Sequence, residues 1–90
     1  MAVDTQQMER ILKAMANRRR LNILQLLKKD KEATVINLAR QIKLSYKSTS
    51  RHLAVLRSTN IVEREQRLNE AYYRIAKPHH EILSRIYSML

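Results

Sequence analysis

The sequence predicts a mainly α-helical domain with one small β-hairpin, ordered as four helices, the hairpin and a fifth helix. Apolar residues recur at three- and four-residue spacing through most of the chain, the period of an amphipathic helix. The first four such stretches follow an Asp, Asn, Thr or Ser, whose side chains accept the free amide protons of a first helical turn. Only residues 61–75 switch to short stretches rich in β-branched and aromatic side chains.

Asp4 caps a first helix over Thr5–Met15, in which Met8, Ile11, Leu12 and Met15 form one apolar stripe. Asn17 caps a second helix ending near Lys28. Leu21, Leu24 and Leu27, flanked by Ile23 and Leu26, give it a face wide enough for the centre of a small core. A charged connection from Lys28 to Glu32 leads to Thr34, the cap of a third helix over Val35–Ile42 with Leu38, Ala39 and Ile42 inward. Lys43 and Leu44 make a short break, and Ser45 caps a fourth helix, Tyr46–Ser58, with Thr49, Leu53 and Leu56 along one side. Strands at 61–67 and 71–75, separated by Leu68, Asn69 and Glu70, form the hairpin. In the second strand Tyr73 and Ile75 face one way and Tyr72 and Arg74 the other. Pro78 fits the first turn of a last helix carrying Ile82, Leu83, Ile86, Tyr87 and Leu90.

Ninety residues predict one domain, 1–90, that buries only ~60% of its unfolded surface, so dimerisation would help it. Lys and Arg number 18 against 8 acidic residues, a formal charge of +10. Such an excess points to a polyanionic partner, nucleic acid or an anionic membrane surface. The absence of cysteine excludes disulfides, thiolate metal sites and cysteine catalysis. No apolar run approaches the roughly 20 residues of a membrane span, and Asp4 and Glu9 do not suit a signal peptide, so a cytoplasmic protein without a membrane partner is expected. There is no glycine and the only proline is Pro78, which removes glycine-rich phosphate loops and dinucleotide fingerprints. No paired carboxylates, nucleophile with its base or metal cluster can be assembled, so neither an enzyme nor a cofactor is expected.

Two short helices joined by a tight turn and followed by a basic hairpin describe a winged helix-turn-helix, whose second helix enters the major groove. The outer side of the fourth helix presents Tyr46, Lys47, Ser48, Ser50, Arg51 and Arg57. Arginine can pair with both acceptors of a guanine edge, which makes Arg51 the leading residue for direct readout. Ser45, at the helix start, suits a backbone phosphate. The alternative for these side chains is an ordinary solvated helix face. The hairpin adds Arg64, Arg67 and Arg74, with Arg67 best placed for an adjacent minor groove; the same charges would also protect an edge hairpin from mispairing. Arg18, Arg19 and Arg20 open the second helix, where positive charge opposes the helix dipole. Either phosphate contact or a pairing with an acid such as Glu9 would compensate.

Three stretches resemble the ArsR family of repressors: residues 12–24 (LKAMANRRRLNIL), 38–45 (LARQIKLS) and 50–57 (SRHLAVLR). The similarity continues through Ile61-Val62 and Tyr72-Tyr73 to Ile75. The resemblance implies a dimer built from the first and last helices, 5–15 and 78–90, with the fourth helix as the reading helix. It places DNA contacts at Ser45, Tyr46, Lys47, Ser48, Ser50, Arg51 and His52, although His52 also suits a packed ring bonded to a backbone group. The family's usual turn glycine is replaced by Lys43, so either a non-glycine residue adopts a left-handed conformation or the turn differs. Thr34 and Ile36 stand where the family's metal-binding form has cysteines. His79, His80 and Glu81 cluster at one end of the last helix, which is half of a second family metal site and reads by default as an exposed helix start.

The expected function is sequence-specific binding of double-stranded DNA by a homodimer, acting as a transcriptional repressor. The alternative is a winged-helix module whose same face takes protein or RNA.

Overall fold

The structure, a computed structural model, describes residues 4–77 and 80–90. The helices are α1 (Thr5–Met15), α2 (Arg18–Asp30), α3 (Val35–Ile42), α4 (Tyr46–Ser58) and α5 (Glu81–Met89), and the strands are β1 (Ala33–Thr34), β2 (Val62–Arg67) and β3 (Glu70–Ile75). The four expected caps form. Asp4 Oδ1 accepts from the amides of Gln6 and Gln7, Asn17 Oδ1 from Arg20, Thr34 Oγ1 from Asn37 and Ser45 Oγ from Ser48.

The wing is larger than the expected hairpin. Ala33 and Thr34 pair with Tyr73 and Tyr72, which completes a three-stranded antiparallel sheet in the order β1-β3-β2. Two residues give no periodicity to read, so Thr34 declares itself as a helix cap in the sequence but not as a strand. Glu70, expected in the loop, pairs with Arg67 as the first residue of β3, which leaves a two-residue turn, Leu68-Asn69. Two-residue hairpin turns require positive φ, and Leu68 supplies it at 52°. Ile61, expected in the first strand, lies just before it and is fully buried. Within the described residues the last helix runs over Glu81–Met89, and His80 Nδ1 accepts the amide proton of Ile82 and acts as the cap. Pro78 and His79, and with them the expected helix start and half of the expected histidine cluster, lie outside the described residues.

Without glycine the chain still closes two helices in the left-handed way. At the end of α3, Leu44 N donates to Ala39 O at 3.0 Å and Lys43 N to Arg40 O at 3.4 Å, with Lys43 at φ 56°. At the end of α4, Ile61 N donates to Leu56 O at 2.9 Å and Asn60 N to Arg57 O at 3.0 Å, with Asn60 at φ 60°. Both are Schellman motifs. A lysine in this conformation costs about 1–2 kcal/mol, which the two recovered carbonyls and the apolar Leu44 behind it offset. The turn of the helix-turn-helix therefore keeps the geometry that glycine would favour.

Ile23, Leu24 and Leu27 of α2 form the centre of the core, with Ile11 and Met15 of α1, Leu38 of α3, Leu53 and Leu56 of α4, Ile61, Val62 and Tyr73 of the wing, and Leu83 and Tyr87 of α5 around them. Each fully buried aliphatic side chain contributes roughly 1.5–3 kcal/mol. Because α4 meets α2, α3 and β2 through this core, its inward stripe is fixed and its remaining surface is directed outward.

Candidate nucleic-acid interface

The floor of the site is the inner stripe of α4. Thr49, Leu53 and Leu56 have no exposed surface, and Thr49 meets the cost of burying a hydroxyl by donating to Ser45 O at 2.8 Å. That bond also ties the first turn of α4 to its cap. With these three residues inward, helical geometry turns Tyr46, Lys47, Arg51 and Arg57 to solvent and leaves Ser48, Ser50 and His52 half-buried along the shoulders. Tyr46 is 59% exposed, far above the usual value for a core tyrosine. Among the described residues, Lys47, Arg51 and Arg57 form no ion pair. Ser45 is exposed, and its oxygen already accepts from Ser48 N, which leaves its hydroxyl proton for an outside acceptor.

The three arginines that open α2 divide. Arg18 is exposed and, with Arg19, Asn17 and Asn22, lines a polar depression at the start of the helix. Arg19 donates to Ile42 O at 3.3 Å, closing the last turn of α3 beside the helix-turn-helix corner. Arg20 turns inward to Ala14 O and His52. The alternative pairing of one of these arginines with Glu9 does not form among the described residues; Glu9 lies 3.8 Å from Lys13 instead.

His52 bonds a side chain rather than a backbone group: its Nδ1 lies 3.4 Å from the Arg20 guanidinium. Burial, and after it the charges of Arg20 and Arg19, hold its pKa below the ordinary imidazole value, so the ring is neutral at neutral pH.

The wing arginines are committed internally. Arg67 grips Glu32 with both terminal nitrogens, at 2.9 and 2.7 Å, reaches Glu65 at 3.1 Å and lies 4.6 Å from the centre of the Tyr72 ring. Arg74 bonds Glu63 and Glu65, each at 2.7 Å. The hydrogen bonds that both arginines donate lower the Glu65 pKa to about 2, and those that Arg67 donates to Glu32 and Glu65 raise its own. Arg64 donates to the uncharged Gln66 and is the wing arginine without a carboxylate among the described residues. Sequence reading missed Glu32, because a contact across 35 positions leaves no local spacing to detect.

On α5, Glu81 pairs with Arg85 at 3.7 Å, and the described residues contain no grouping of three or more potential metal-binding side chains. None of the helices among them is long and apolar enough to cross a membrane.

A buried stripe on α4, an outward cationic flank and a three-stranded wing compose a winged helix-turn-helix, and comparison with known proteins assigns it. Residues 17–64, from the cap of α2 into β2, match the model of the arsR family of bacterial regulatory proteins. The chain belongs to that family. As an ArsR-family protein it is a DNA-binding transcriptional regulator. It is 38% identical over 81 residues to the transcriptional activator HlyU of Vibrio cholerae, spanning 86% of this chain and 74% of that protein. The structure of reduced HlyU superposes with a TM-score of 0.82 at 31% identity, covering 97% of this chain and 87% of HlyU. A homodimeric winged helix-turn-helix DNA-binding domain from Mycobacterium bovis gives 0.81 at 34% identity, over 94% and 75%. The transcriptional repressor PagR of Bacillus anthracis gives 0.80 at 28% identity, over 94% and 93%. This ArsR-family chain has no cysteine, so a thiolate metal site is excluded from it.

Proposed function

We propose that this regulator binds a near-palindromic DNA site as a homodimer, with α4 of each protomer in the major groove, and represses by occupying the site. The observation that carries the reading is the outward flank of α4, where Lys47, Arg51 and Arg57 stand exposed without carboxylates among the described residues. Arg51 reads a base edge, Lys47 and the Ser45 hydroxyl hold phosphates, and Tyr46, Ser48 and Ser50 border the contact. Arg18, Arg19 and Arg57 extend the positive surface along the backbone; Arg64 does so from the wing, with Arg67 in reserve behind Glu32.

Dimerisation is supported by α1. Its apolar stripe splits in the structure: Ile11 and Met15 enter the core, while Leu12 remains 45% exposed beside half-buried Met8. On α5, Met89 is 79% exposed next to Ile82, Ile86 and Leu90. The apolar surface that α1 and α5 leave exposed beyond the core favours self-association through 5–15 and 78–90. The reading needs no catalytic role and no cofactor, and places the chain in the cytoplasm with DNA.

The test is selection of duplexes from a random pool at near-physiological salt. The expected product is a two-fold symmetric motif with half-sites one turn apart, ~34 Å. Binding should weaken with salt at about −0.9 log units per phosphate neutralised. A pool that stays random, or affinity insensitive to salt, would remove DNA as the ligand of this face and favour a protein partner.

A further inference from the structure

We propose that Arg20 is a positioning residue: its guanidinium joins the last turn of α1 to His52 on α4, and it holds the reading helix in its docking orientation only while His52 is neutral. The inference rests on the DNA reading given above and goes beyond it by naming what sets the angle of α4.

Three bonds define the strut. The Arg20 amide donates to the Asn17 cap at 3.1 Å, which fixes the root of the side chain. Its Nε donates to Ala14 O at 2.6 Å, a carbonyl in the last turn of α1 that helix geometry leaves without an amide partner. Its Nη1 lies 3.4 Å from His52 Nδ1. Arg20 and His52 are both half-buried, so these contacts are partly shielded from water. One side chain therefore spans the proposed dimer helix and the proposed reading helix. His52 follows Arg51 directly, so a turn of α4 that breaks the strut also moves Arg51.

A guanidinium has donors only and keeps its charge, so the contact requires an acceptor lone pair on Nδ1 and the ring proton on Nε2. Protonating Nδ1 removes the acceptor and sets imidazolium against arginine. The charged groups that bear on the ring are Arg20 and Arg19, both from α2; no carboxylate among the described residues relieves them. The proton is thus accepted only at the expense of the strut.

The experiment measures affinity for the selected duplex from about pH 8 to about pH 5 at constant salt. Wild type should hold constant affinity above about pH 7 and weaken roughly tenfold by the acid end, the size of one net charge-assisted hydrogen bond. His52→Asn, which keeps a neutral acceptor near the Nδ1 position, should show no acid loss relative to its own affinity at about pH 8. Arg20→Met should bind weakly at every pH and show no acid loss. If it fails to fold, Arg20→Lys, which cannot bridge carbonyl and imidazole together, should fall between the two. In NMR titrations either Arg20 variant should move the His52 pKa relative to wild type, Arg20→Met upward. His79 and His80 are kept throughout, so their contribution cancels between variants. Superimposable wild-type and His52→Asn profiles, or affinity that rises steadily as pH falls, would overturn the strut. Failure of wild type to bind any duplex at any pH would instead overturn the DNA reading itself.

Discussion

On α4, Lys47, Arg51 and Arg57 face solvent with no carboxylate among the described residues, whereas in the wing Arg67 and Arg74 are held by Glu32, Glu63 and Glu65. Half of the chain's eight acidic residues, Glu32, Glu63, Glu65 and Glu70, lie in or beside the wing. The net charge of +10 is therefore unevenly deployed: it is concentrated on the helices and nearly cancelled around β2 and β3. A count of basic residues would rank the two regions alike. Their pairing separates them, because a cation that already holds a carboxylate must give it up before it can neutralise a phosphate.

The largest effect should come from the reading helix. Arg51→Ala should lower affinity by about 1–3 kcal/mol and relax preference at one base position, read by repeating the duplex selection with the variant. Lys47→Ala should weaken all sequences more evenly and reduce the salt slope by about one unit, read from binding isotherms over a salt series. If Arg67→Ala exceeds both, the contrast between helix and wing is reversed and the wing carries the recognition.

Much of this contrast was beyond the reach of the sequence. Caps and apolar spacing are local, so Asp4, Asn17, Thr34 and Ser45 marked their helices, and Thr49, Leu53 and Leu56 marked the buried side of α4 and hence its outward residues. The Lys43 turn was open between two geometries, and the deciding fact, a carbonyl pair waiting at Ala39 and Arg40, is three-dimensional. Glu32 sits in a charged connection that looks solvated, and only the pairing of β1 with β3 brings it to Arg67. Arg20 could not be told from Arg18 and Arg19, since which of three consecutive arginines turns inward depends on how α1 and α4 close over α2.

Acid should separate the two regions a second time. His52 has a lowered pKa, so the unfolded chain binds its proton more readily; stability from α4 is present above the ordinary value of 6.5 and declines as pH falls below it. Glu65 is also lowered, from 4.5 to about 2, and as a carboxylate it stabilises the wing above 4.5, with the contribution lost only between there and about pH 2. In an NMR titration downward from neutral pH, α4 amides should shift first and wing amides well afterwards. Simultaneous movement would mean that the Arg67–Glu65 pairing is not formed in solution.

The smallest effect tests the comparison most sharply, because its sign is opposite to that of ordinary damage. Glu32→Gln removes the strongest hold on Arg67 while the guanidinium keeps Glu65 and Tyr72. If the clasp withholds Arg67 from DNA, the variant should bind about two- to threefold more tightly at low salt, with a slope steeper by up to ~0.9 as one more phosphate is neutralised. Removing any acid near a polyanion gives a smaller, unspecific gain, for which Glu70→Gln is the control. The gain beyond that control must vanish when Arg67→Ala is added, since nothing remains to be released. Should Glu32→Gln instead weaken binding, and Arg67→Ala weaken it equally, the clasp serves to aim the wing at DNA, and its paired arginine matters through the position it enforces.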